Sequence, residues 1–261
     1  MSSYTGQVVK APNSTKNQMV VYTCCFGNYA GLRELTVRHE GCDYVCFTDN
    51  AKLTSDSWRL EVLDAVAESP IVASRHPKIL PHHYFSDYRF SLYVDANIAV
   101  AVNPLVLAQK YLVSKPFWVP KHFQRGCLYD EAVECAVLRR ATTKDLCREI
   151  SEYRAQHMPK DFGLSENGVL LREHNRQDVI ELMEKWWALY VNGSLRDQIS
   201  LPVALWKSGA CFSYLDESVR DEGAEFTLRS HSPTSERSLV AKVLQKVDFS
   251  LRRLYFRVVG L

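Results

Sequence analysis

RFSLYVDANIAV, residues 89–100, is an apolar run with two polar side chains, Asp95 and Asn97, near its centre. Such a run is typical of a strand that is buried on both faces, as in a parallel sheet covered by helices. A carboxylate inside a buried strand carries a desolvation penalty unless it emerges at the strand end or meets a cation. Because ligands of α/β sheets bind at the carboxyl ends of strands, the run predicts an α/β fold with a site at Asp95.

Asp95 and Asn97 are two residues apart, which on a strand places their oxygens on the same face. Carboxylate and amide oxygens so arranged suit a Mg²⁺ or Mn²⁺ ion that also binds diphosphate oxygens. The alternative is that the two residues open a turn, which Asp and Asn both favour. The spacing alone leaves both interpretations open.

Patterns of apolar residues predict the remaining elements. The predicted strands are residues 19–26, 43–50, 58–63 and 168–174. The predicted helices are residues 32–39, 130–140, 143–156 and 178–191. Strands that alternate with helices indicate an α/β chain.

No internal repeat or Pro/Gly-rich linker divides the sequence, so a single domain is expected. Its predicted extent is residues 19–241, between a polar, flexible leader at 1–18 and a tail at 242–261. The tail mixes Lys and Arg with Val, Leu and Phe, a pattern typical of basic amphipathic segments that lie on a membrane surface. Peripheral membrane contact through the tail is therefore expected.

Composition limits the class of protein. Of the 261 residues, 46% are hydrophobic and 24% are charged, which excludes a disordered or collagen-like chain. The net charge of +2 argues against a whole-surface affinity for nucleic acid, and no nucleic-acid partner is expected. The eight cysteines form no CxxC pair and the N-terminus lacks an apolar signal core, which indicates reduced thiols and a cytoplasmic location.

Two further stretches place polar side chains beside predicted strands. In FTDN, Asp49 and Asn50 either accept hydrogen bonds from a nucleobase or ribose or form an Asx turn. SRHPKILPHHYF, residues 74–85, carries Arg75 and Lys78, which suit phosphate as a bidentate donor and a point charge respectively. Both stretches are candidates for a nucleotide site.

Histidine and tryptophan side chains each have a structural and a functional interpretation. His82 and His83 are adjacent, and on a helix they would point about 100° apart, which favours a solvated helix face over a shared metal. Trp186 and Trp187 are expected in the core rather than at a sugar platform. His231 is expected in an exposed loop, with metal ligation as the alternative.

SLRDQISLPVALW contains Asp197 and Gln198 directly before an apolar helix. Ser194 or Asp197 is placed to cap that helix. The functional alternative is that Asp197 and Gln198 project into a cleft, where they orient a sugar or stabilise a positively charged transition state. GxSxG, HExxH, GxGxxG and P-loop motifs do not occur in the sequence, so the chemistries that they mark lack their local signatures.

Six segments together carry a resemblance to a known family: VVYTCCFGNY, DYVCFTDN, SRHPKILPHHYFSDYRFSLYVDANIAV, QRGCLYDEA, FGLSENGVLLREHN and SLRDQISL. Across residues 19–207 the chain resembles the glycosyltransferase-like family of bacterial polysaccharide loci and plant Golgi proteins, the TOD/MUCI type. The resemblance implies a GT-A-like domain, with a mainly parallel central sheet flanked by helices. It also implies a nucleotide-sugar site at the carboxyl edge of that sheet.

The same resemblance assigns roles to individual residues. Asp95 and Asn97 take the place of the DxD-like metal motif, with His231 as a weaker third ligand, for Mn²⁺ or Mg²⁺. Asp197 and Gln198, the implied catalytic residues, resemble the DQ pair that glycogenin-like retaining enzymes present to the donor sugar. The implied nucleotide-sugar-binding residues are Thr23, Phe26, Gly27, Asp49, Arg75, Lys78, Asp95 and Asn97.

The DAN segment departs from the DxD pattern, because it has one carboxylate where DxD has two. The site therefore offers a divalent cation one negative charge less. If no metal binds, Arg75, Lys78 and Arg125 are the groups that would neutralise a leaving diphosphate.

The expected function is glycosyl transfer. A sugar would pass from a nucleotide-sugar donor, UDP-type favoured, to a glycan or lipid-linked acceptor in the biosynthesis of capsular or lipopolysaccharide-type surface polysaccharide. The expected location is cytoplasmic, including the cytosolic face of the inner membrane. Asp197 would stabilise the oxocarbenium-like sugar. Two other classes stay open: a carboxylate-dependent hydrolase and a non-catalytic sugar-nucleotide or glycan-binding module.

Overall fold

Two sheets and their flanking helices make up the computed structural model, which describes residues 18–27, 32–63, 69–215, 218–221, 225–228 and 239–258. In chain order the strands are β1 Met19–Cys25, β2 Cys42–Thr48, β3 Arg59–Val62, β4 Phe90–Val94, β5 Ile98–Val100, β6 Phe117–Pro120, β7 Val169–Arg172, β8 Ser213–Leu215 and β9 Phe226–Leu228. The helices are α1 Pro70–Ile79, α2 Pro104–Tyr111, α3 Leu128–Val137, α4 Thr143–Ala155, α5 Gln177–Asn192, α6 Asp197–Ser208 and α7 Leu239–Val258. A 3₁₀ turn, Pro81–His83, follows α1.

The larger sheet has seven strands in the order β3-β2-β1-β4-β7-β6-β8. Six of these strands point the same way, and β7 runs antiparallel to both of its neighbours, β4 and β6. The predicted α/β class, with a mainly parallel sheet flanked by helices, is confirmed. The carboxyl ends of β1, β2 and β4 therefore meet at one edge of the sheet.

Both faces of the sheet are buried, as the apolar strands predict. Because side chains alternate along a strand, Val20 and Tyr22 of β1 pack on one face with Trp186 of α5. Val21 packs on the opposite face with Leu107 of α2. The helices thus cover the sheet on both sides and leave its carboxyl edge as the place for a cleft.

Residues 89–100 form two strands rather than one, so the prediction of a single continuous strand is wrong. β4 ends at Val94, and the Ile98 amide donates to the Asp95 carbonyl at 2.8 Å to close a turn. β5 then pairs antiparallel with β9 in the small second sheet. The turn gives Asp95 a place at the strand end, where its carboxylate avoids burial inside the sheet.

The helix predicted at residues 32–39 is also wrong. The Glu34 carboxylate accepts hydrogen bonds from the Ser55 hydroxyl at 2.8 Å and from the Ser57 amide at 2.9 Å. The Leu35 amide donates to the Ser57 hydroxyl at 2.8 Å. These contacts with a distant loop replace the local bonds that a helix would need.

Two helices, α1 and α2, were not predicted, although each has a start signal in the sequence. Ser69 caps α1 by accepting from the Ile71 amide, and Asn103 caps α2 by accepting from the Leu105 amide. In both helices a proline takes the first position, where its missing N–H is tolerated. The predicted strands correspond to β1, β2, β3 and β7, and the longer predicted helices to α3, α4 and α5, with end shifts of a few residues.

α7 crosses the predicted boundary between domain and tail and packs against α3. Arg253 donates to both carboxylate oxygens of Glu134, at 2.8 and 2.9 Å. Phe249 and Phe256 pack against the apolar cluster formed by α3, α4 and α6. Across the described ranges, every helix is too short or too polar to serve as a membrane span. Residues 1–17 of the predicted leader lie outside the described residues.

Candidate functional site

A buried lysine joins three elements at the carboxyl edge of the sheet. Lys78 of α1 places its Nζ 2.8 Å from Asp197 Oδ2, at the start of α6, and 3.5 Å from Asp95 Oδ1, after β4. Arg75, one turn earlier on α1, places its Nε 3.3 Å from the same Asp197 oxygen. The fold thus brings two cations and two carboxylates together from distant parts of the sequence.

Buried polar groups donate hydrogen bonds to the backbone carbonyl of Lys78. Arg172 Nη2 donates to the Lys78 carbonyl at 3.0 Å, and the Tyr22 hydroxyl donates to it at 3.2 Å. Arg172 also donates to the Tyr22 hydroxyl. Because Arg172 and Tyr22 are fully buried, these bonds fix the end of α1 from which the Lys78 side chain extends.

Asp197 is the first residue of α6, but it does not cap that helix. The N-cap is Arg196, without a side-chain capping bond, so the expectation that Ser194 or Asp197 caps the helix is wrong. The Asp197 carbonyl accepts from Asn167 Nδ2 at 2.9 Å, and Gln198 Nε2 donates to the Ser165 carbonyl at 3.4 Å. The Asp197 carboxylate is therefore left to the cations of α1.

Charge, rather than burial, decides the protonation of Asp197. Burial alone would raise the pKa of its carboxyl, but Lys78, Arg75 and Arg196 outweigh burial and hold the pKa well below its usual range. Burial would likewise lower the pKa of the Arg75 guanidinium, yet Asp197, Tyr93 and Asp95 together outweigh burial and raise that pKa. The Asp197 carboxylate and the Arg75 guanidinium thus stay ionised at neutral pH.

Asp95 is the carboxylate of this group that reaches solvent. Its side chain is 40% exposed, against 7% for Asp197. The Tyr93 hydroxyl donates to Asp95 Oδ1 at 2.8 Å, and burial, with Asp95 as a further cause, raises the pKa of Tyr93 well above its usual value. Tyr93 therefore stays a donor that holds the Asp95 carboxylate in position.

These residues line one open cleft. Six of its lining residues were predicted site residues: Arg75, Lys78, Asp95, Asn97, Asp197 and Gln198. Four polar lining residues were not predicted: Glu166, Asn167, Arg196 and Arg220. Arg196 directly precedes Asp197 in the SLRDQISL segment, and this position was a signal in the sequence. Arg220 lies in no such segment.

Of the other predicted nucleotide-binding residues, only Thr23 lines a cavity beside the cleft, one that Asp95 and Asn97 also border. The Thr23 hydroxyl is buried without a hydrogen-bond partner in the described part of the chain. Phe26 packs in the apolar core. The Gly27 amide donates to both Asp49 oxygens, at 3.0 and 2.9 Å. Phe26, Gly27 and Asp49 thus lie at the same edge of the sheet, but they line neither the cleft nor the cavity beside it.

The remaining candidates do not join the cleft. Asn50 Oδ1 accepts from the Lys52 amide at 3.0 Å, the geometry of the Asx turn considered above. Arg125 Nε donates to the buried Glu131 at 2.7 Å, and Arg125 does not line the cleft. The expectation that it neutralises a diphosphate there is wrong, because its charge serves a buried carboxylate. His231 lies outside the described residues.

The donor set at Asp95 and Asn97 fits a divalent cation that arrives with its substrate. In the described ranges, Asp95 belongs to no cluster of three His, Cys or acidic ligands. Mg²⁺ is often held by one or two carboxylates together with substrate phosphates. One exposed carboxylate and one amide at a cleft suit such shared coordination better than a permanent metal centre.

The prediction that His82 and His83 lie on a solvated helix face is wrong for His82, whose side chain is only 8% exposed. The side chain of His83 is 44% exposed. His82 and His83 lie in the 3₁₀ turn, and the Nε2 atoms of both lie 3.0 Å from Glu184 Oε1 of α5. Trp186 is fully buried, and its Nε1 donates to the Ser200 hydroxyl at 3.0 Å. Its expected place in the core is confirmed.

The sheet and its flanking helices define an α/β protein with a charged cleft at the carboxyl edge of the sheet. A family model described as "TOD1/MUCI70, glycosyltransferase-like domain" matches residues 7–214. The chain belongs to this family, as the resemblance of its segments predicts.

Two individual proteins show what the chain is similar to. A relative from Arabidopsis thaliana, "Probable hexosyltransferase MUCI70", is 27% identical in an alignment of 138 residues that covers 48% of this chain and 23% of the relative. The chain therefore spans less than a quarter of the length of that relative. A solved apo structure of the bifunctional glycosyltransferase WbbM aligns over 78% of this chain and 40% of its own, with a TM-score of 0.48 and 13% identity.

Proposed function

We propose that the chain is a glycosyltransferase that uses a nucleotide-sugar donor, with UDP as the favoured nucleotide. The observation that carries the proposal is that Lys78 and Arg75 both form ion pairs with Asp197, and that Lys78 also pairs with the more exposed Asp95. A nucleotide sugar presents a diphosphate and a sugar side by side, and this arrangement offers cations for the first and carboxylates for the second. Family membership supports the same class of activity.

The charge of the cleft suits an anionic ligand. Four cationic side chains line it, Arg75, Lys78, Arg196 and Arg220, against three acidic ones, Asp95, Glu166 and Asp197. The difference of four and three leaves one positive charge. Because fixed cations stabilise charge that develops on a leaving group, we place the donor diphosphate over this part of the cleft.

In the proposed reaction, the bond between the donor sugar and the diphosphate breaks, and its electron pair leaves with the nucleoside diphosphate. The acceptor oxygen bonds to the same carbon and gives its proton to the leaving diphosphate. Asp197 stays ionised because of its cationic partners, so it acts through its negative charge and its hold on Lys78 rather than as an acid. That charge stabilises an oxocarbenium-like sugar. Gln198, next to Asp197 in the cleft, is proposed to orient the donor sugar.

We also propose that Mn²⁺ or Mg²⁺ binds at Asp95 and Asn97 when the donor is present. Such an ion would neutralise diphosphate charge as a Lewis acid. Lys78 and Arg75 already supply positive charge within a few ångströms of these residues. We therefore expect Mn²⁺ or Mg²⁺ to strengthen binding of the donor. Without metal, Lys78 and Arg75 should still bind the donor, with lower affinity.

The proposed setting is the assembly of surface polysaccharide on a glycan or lipid-linked acceptor, in the cytoplasm at the inner membrane. α7 supports membrane contact, since Leu251, Leu254, Tyr255 and Val258 on it are 60% exposed or more. Its arginines are partly neutralised, as Arg253 bonds Glu134. The apolar side chains, rather than net basic charge, are the proposed contact.

Flotation with anionic vesicles tests the membrane contact. Leu254→Glu should lower the bound fraction several-fold, because a carboxylate replaces an exposed apolar side chain at the proposed surface. Val113→Glu is the matched control, since Val113 is also strongly exposed but lies outside α7. Equal binding of wild type and Leu254→Glu would remove the membrane contact from the proposal.

Thermal unfolding with nucleotides tests the donor site. UDP, GDP and CDP and their common sugars are each added with and without Mn²⁺ to wild type and to Asp95→Ala, with the exposed Asp161→Ala as the matched control. At 100 times its dissociation constant, a ligand adds about 2.7 kcal/mol to stability, or roughly 5–10 °C for a chain of this size. The expected result is a base-selective shift that Mn²⁺ enlarges in wild type and in Asp161→Ala but not in Asp95→Ala.

Product analysis then separates transfer from the two alternatives. A glycosyltransferase releases nucleoside diphosphate and extends an acceptor. A hydrolase would cleave a glycoside without any nucleotide, and a binding module would show the thermal shift without turnover. No shift with any nucleotide would contradict the proposed function.

A further inference from the structure

A second cluster of polar side chains lies outside the cleft, between the 3₁₀ turn Pro81–His83 and α5. His82 Nε2 and His83 Nε2 each lie 3.0 Å from Glu184 Oε1. All three atoms lie within 4.8 Å of one another. The two imidazole rings meet at nearly right angles, with centroids 4.4 Å apart, so both direct a nitrogen at one carboxylate oxygen.

The two distances to Glu184 are close to those between ligand atoms of a tetrahedral metal site. Zinc binds histidine nitrogen at about 2.0–2.1 Å and carboxylate oxygen at about 2.0–2.2 Å, which places neighbouring ligand atoms about 3.3–3.5 Å apart. The two distances of 3.0 Å need to lengthen by only a few tenths of an ångström. We propose that His82, His83 and Glu184 bind one divalent transition-metal ion of the zinc class.

The donor set selects the class of metal. Two imidazole nitrogens and one carboxylate suit Zn²⁺ and related transition metals, whereas Mg²⁺ and Ca²⁺ prefer sites made of oxygen. Water would complete the coordination, because His83 and Glu184 have side chains that are 44% and 46% exposed. The ion would thus bind from solvent without opening the fold.

The surroundings fix the orientation of both histidine rings. His82 Nδ1 is buried and has no hydrogen-bond partner within the described ranges, so Nε2 is the nitrogen that this ring presents. His76 of α1 packs against His83, with ring centroids 5.6 Å apart, and limits the positions open to the His83 ring.

The position of the cluster indicates a structural role. The 3₁₀ turn directly follows α1, which carries Arg75 and Lys78, while Glu184 belongs to α5, which packs on α6. A bound ion would link the end of α1 to α5 and so hold the two parts of the cleft in register. This site is separate from the cation proposed at Asp95 and does not depend on the proposed glycosyl transfer.

Zinc binding to the full chain tests the proposal, with Zn²⁺ as the only added ligand. Wild type, His83→Gln and Glu184→Gln are compared by calorimetric titration and by metal content after dialysis. Three controls accompany them: the exposed His157→Gln, the exposed thiol variant Cys211→Ser and the cleft variant Asp95→Ala. Far-UV circular dichroism establishes that each apo variant is folded.

The expected result is one Zn²⁺ per wild-type chain, with affinity reduced at least tenfold in both His83→Gln and Glu184→Gln and retained in the three controls. Zn²⁺ should also raise the melting temperature of wild type more than that of either ligand variant. Co²⁺ in place of Zn²⁺ should give the visible absorption of a tetrahedral nitrogen and oxygen site. Absence of binding to wild type, or equal binding by His83→Gln, Glu184→Gln and wild type, would overturn the proposal.

Discussion

Lys78 Nζ and Asp197 Oδ2 lie 2.8 Å apart, with their side chains only 2% and 7% exposed, and they join α1 to α6 across 119 positions of sequence. A buried charge is tolerated only when an opposite charge and hydrogen bonds compensate for its lost hydration. Each residue of the pair therefore needs the other, and the cleft exists where the two helices are held together.

Lys78→Met should destabilise the chain by about 3–5 kcal/mol, because it leaves the buried Asp197 carboxylate without its nearest partner. Asp197→Asn should also destabilise it, while the double variant should lose less than the sum of the two single variants by about 1–3 kcal/mol. Urea unfolding of all four proteins measures these values. Strict additivity would contradict the coupling of the two residues.

Acid should weaken the contribution of Asp197. Its folded pKa lies below its usual range, while an unfolded Asp titrates near about 3.9. The stabilisation is therefore complete above about pH 5 and is lost as the pH falls further. In urea unfolding series, the difference in stability between wild type and Asp197→Asn should shrink from pH 5 to pH 3. A constant difference would mean that the carboxylate charge is not the stabilising feature.

Gly168→Ala should disturb the site directly. A Cβ at this position would lie 2.8 Å from Ile98 Cδ1 and 3.2 Å from Asp95 Oδ2, so the Ile98 side chain and the Asp95 carboxylate would have to shift. The expected loss of stability is about 1–3 kcal/mol, with weaker binding of UDP. Gly126→Ala is the matched control, because a Cβ there would meet nothing within 4 Å. Thermal unfolding and UDP titration compare the two variants.

His174 should make stability depend on pH in a different range. Burial lowers the pKa of His174 to about 4, whereas an unfolded His titrates near about 6.5. The unfolded state therefore takes up the proton first, and stability falls as the pH drops from about 6.5 to 4, by up to about 1.4 kcal/mol per pH unit. His174→Gln should flatten this dependence, and the exposed His157→Gln should leave it unchanged. Identical slopes would contradict the neutral state of buried His174.

Arg196→Gln should weaken binding of UDP about tenfold or more, since a hydrogen bond to a charged group contributes about 1.5–3 kcal/mol. Arg196 lines the cleft, and its Nε is buried without a partner in the described ranges. Arg148→Gln, at an exposed arginine of α4, should bind UDP as wild type does. Isothermal titration of the three proteins gives the comparison, and equal affinities would remove Arg196 from the donor site.

Sequence patterns predicted elements whose own residues determine their structure. β1 and β2 are recognisable because their apolar side chains suit burial on both faces, and α5 because its apolar residues recur at helical spacing. The helix prediction for residues 32–39 was wrong because the Glu34 carboxylate accepts hydrogen bonds from a loop some 20 residues away. No local pattern reports a partner at that distance.

The site residues also include some that the sequence predicts and some that it does not. The resemblance to a family identified Lys78, Asp95 and Asp197 together, whereas spacing alone left the turn at Asp95 as an equal alternative. Arg220 could not be predicted, because it enters the cleft only after β8 has brought the chain back to the sheet. The convergence of His82 and His83 could not be predicted, because both rings reach Glu184 of α5, about 100 residues further along the chain.

The distance in sequence between Lys78 and Asp197 also sets an order of events during synthesis. A ribosome adds about 5–20 residues per second, so α1 emerges on the order of ten seconds before the carboxylate that its lysine requires. The strands β1 to β4 precede Asp197 in the chain as well. The amino-terminal half of the nascent polypeptide must therefore wait, with Lys78 still hydrated, until α6 arrives and lets the core close.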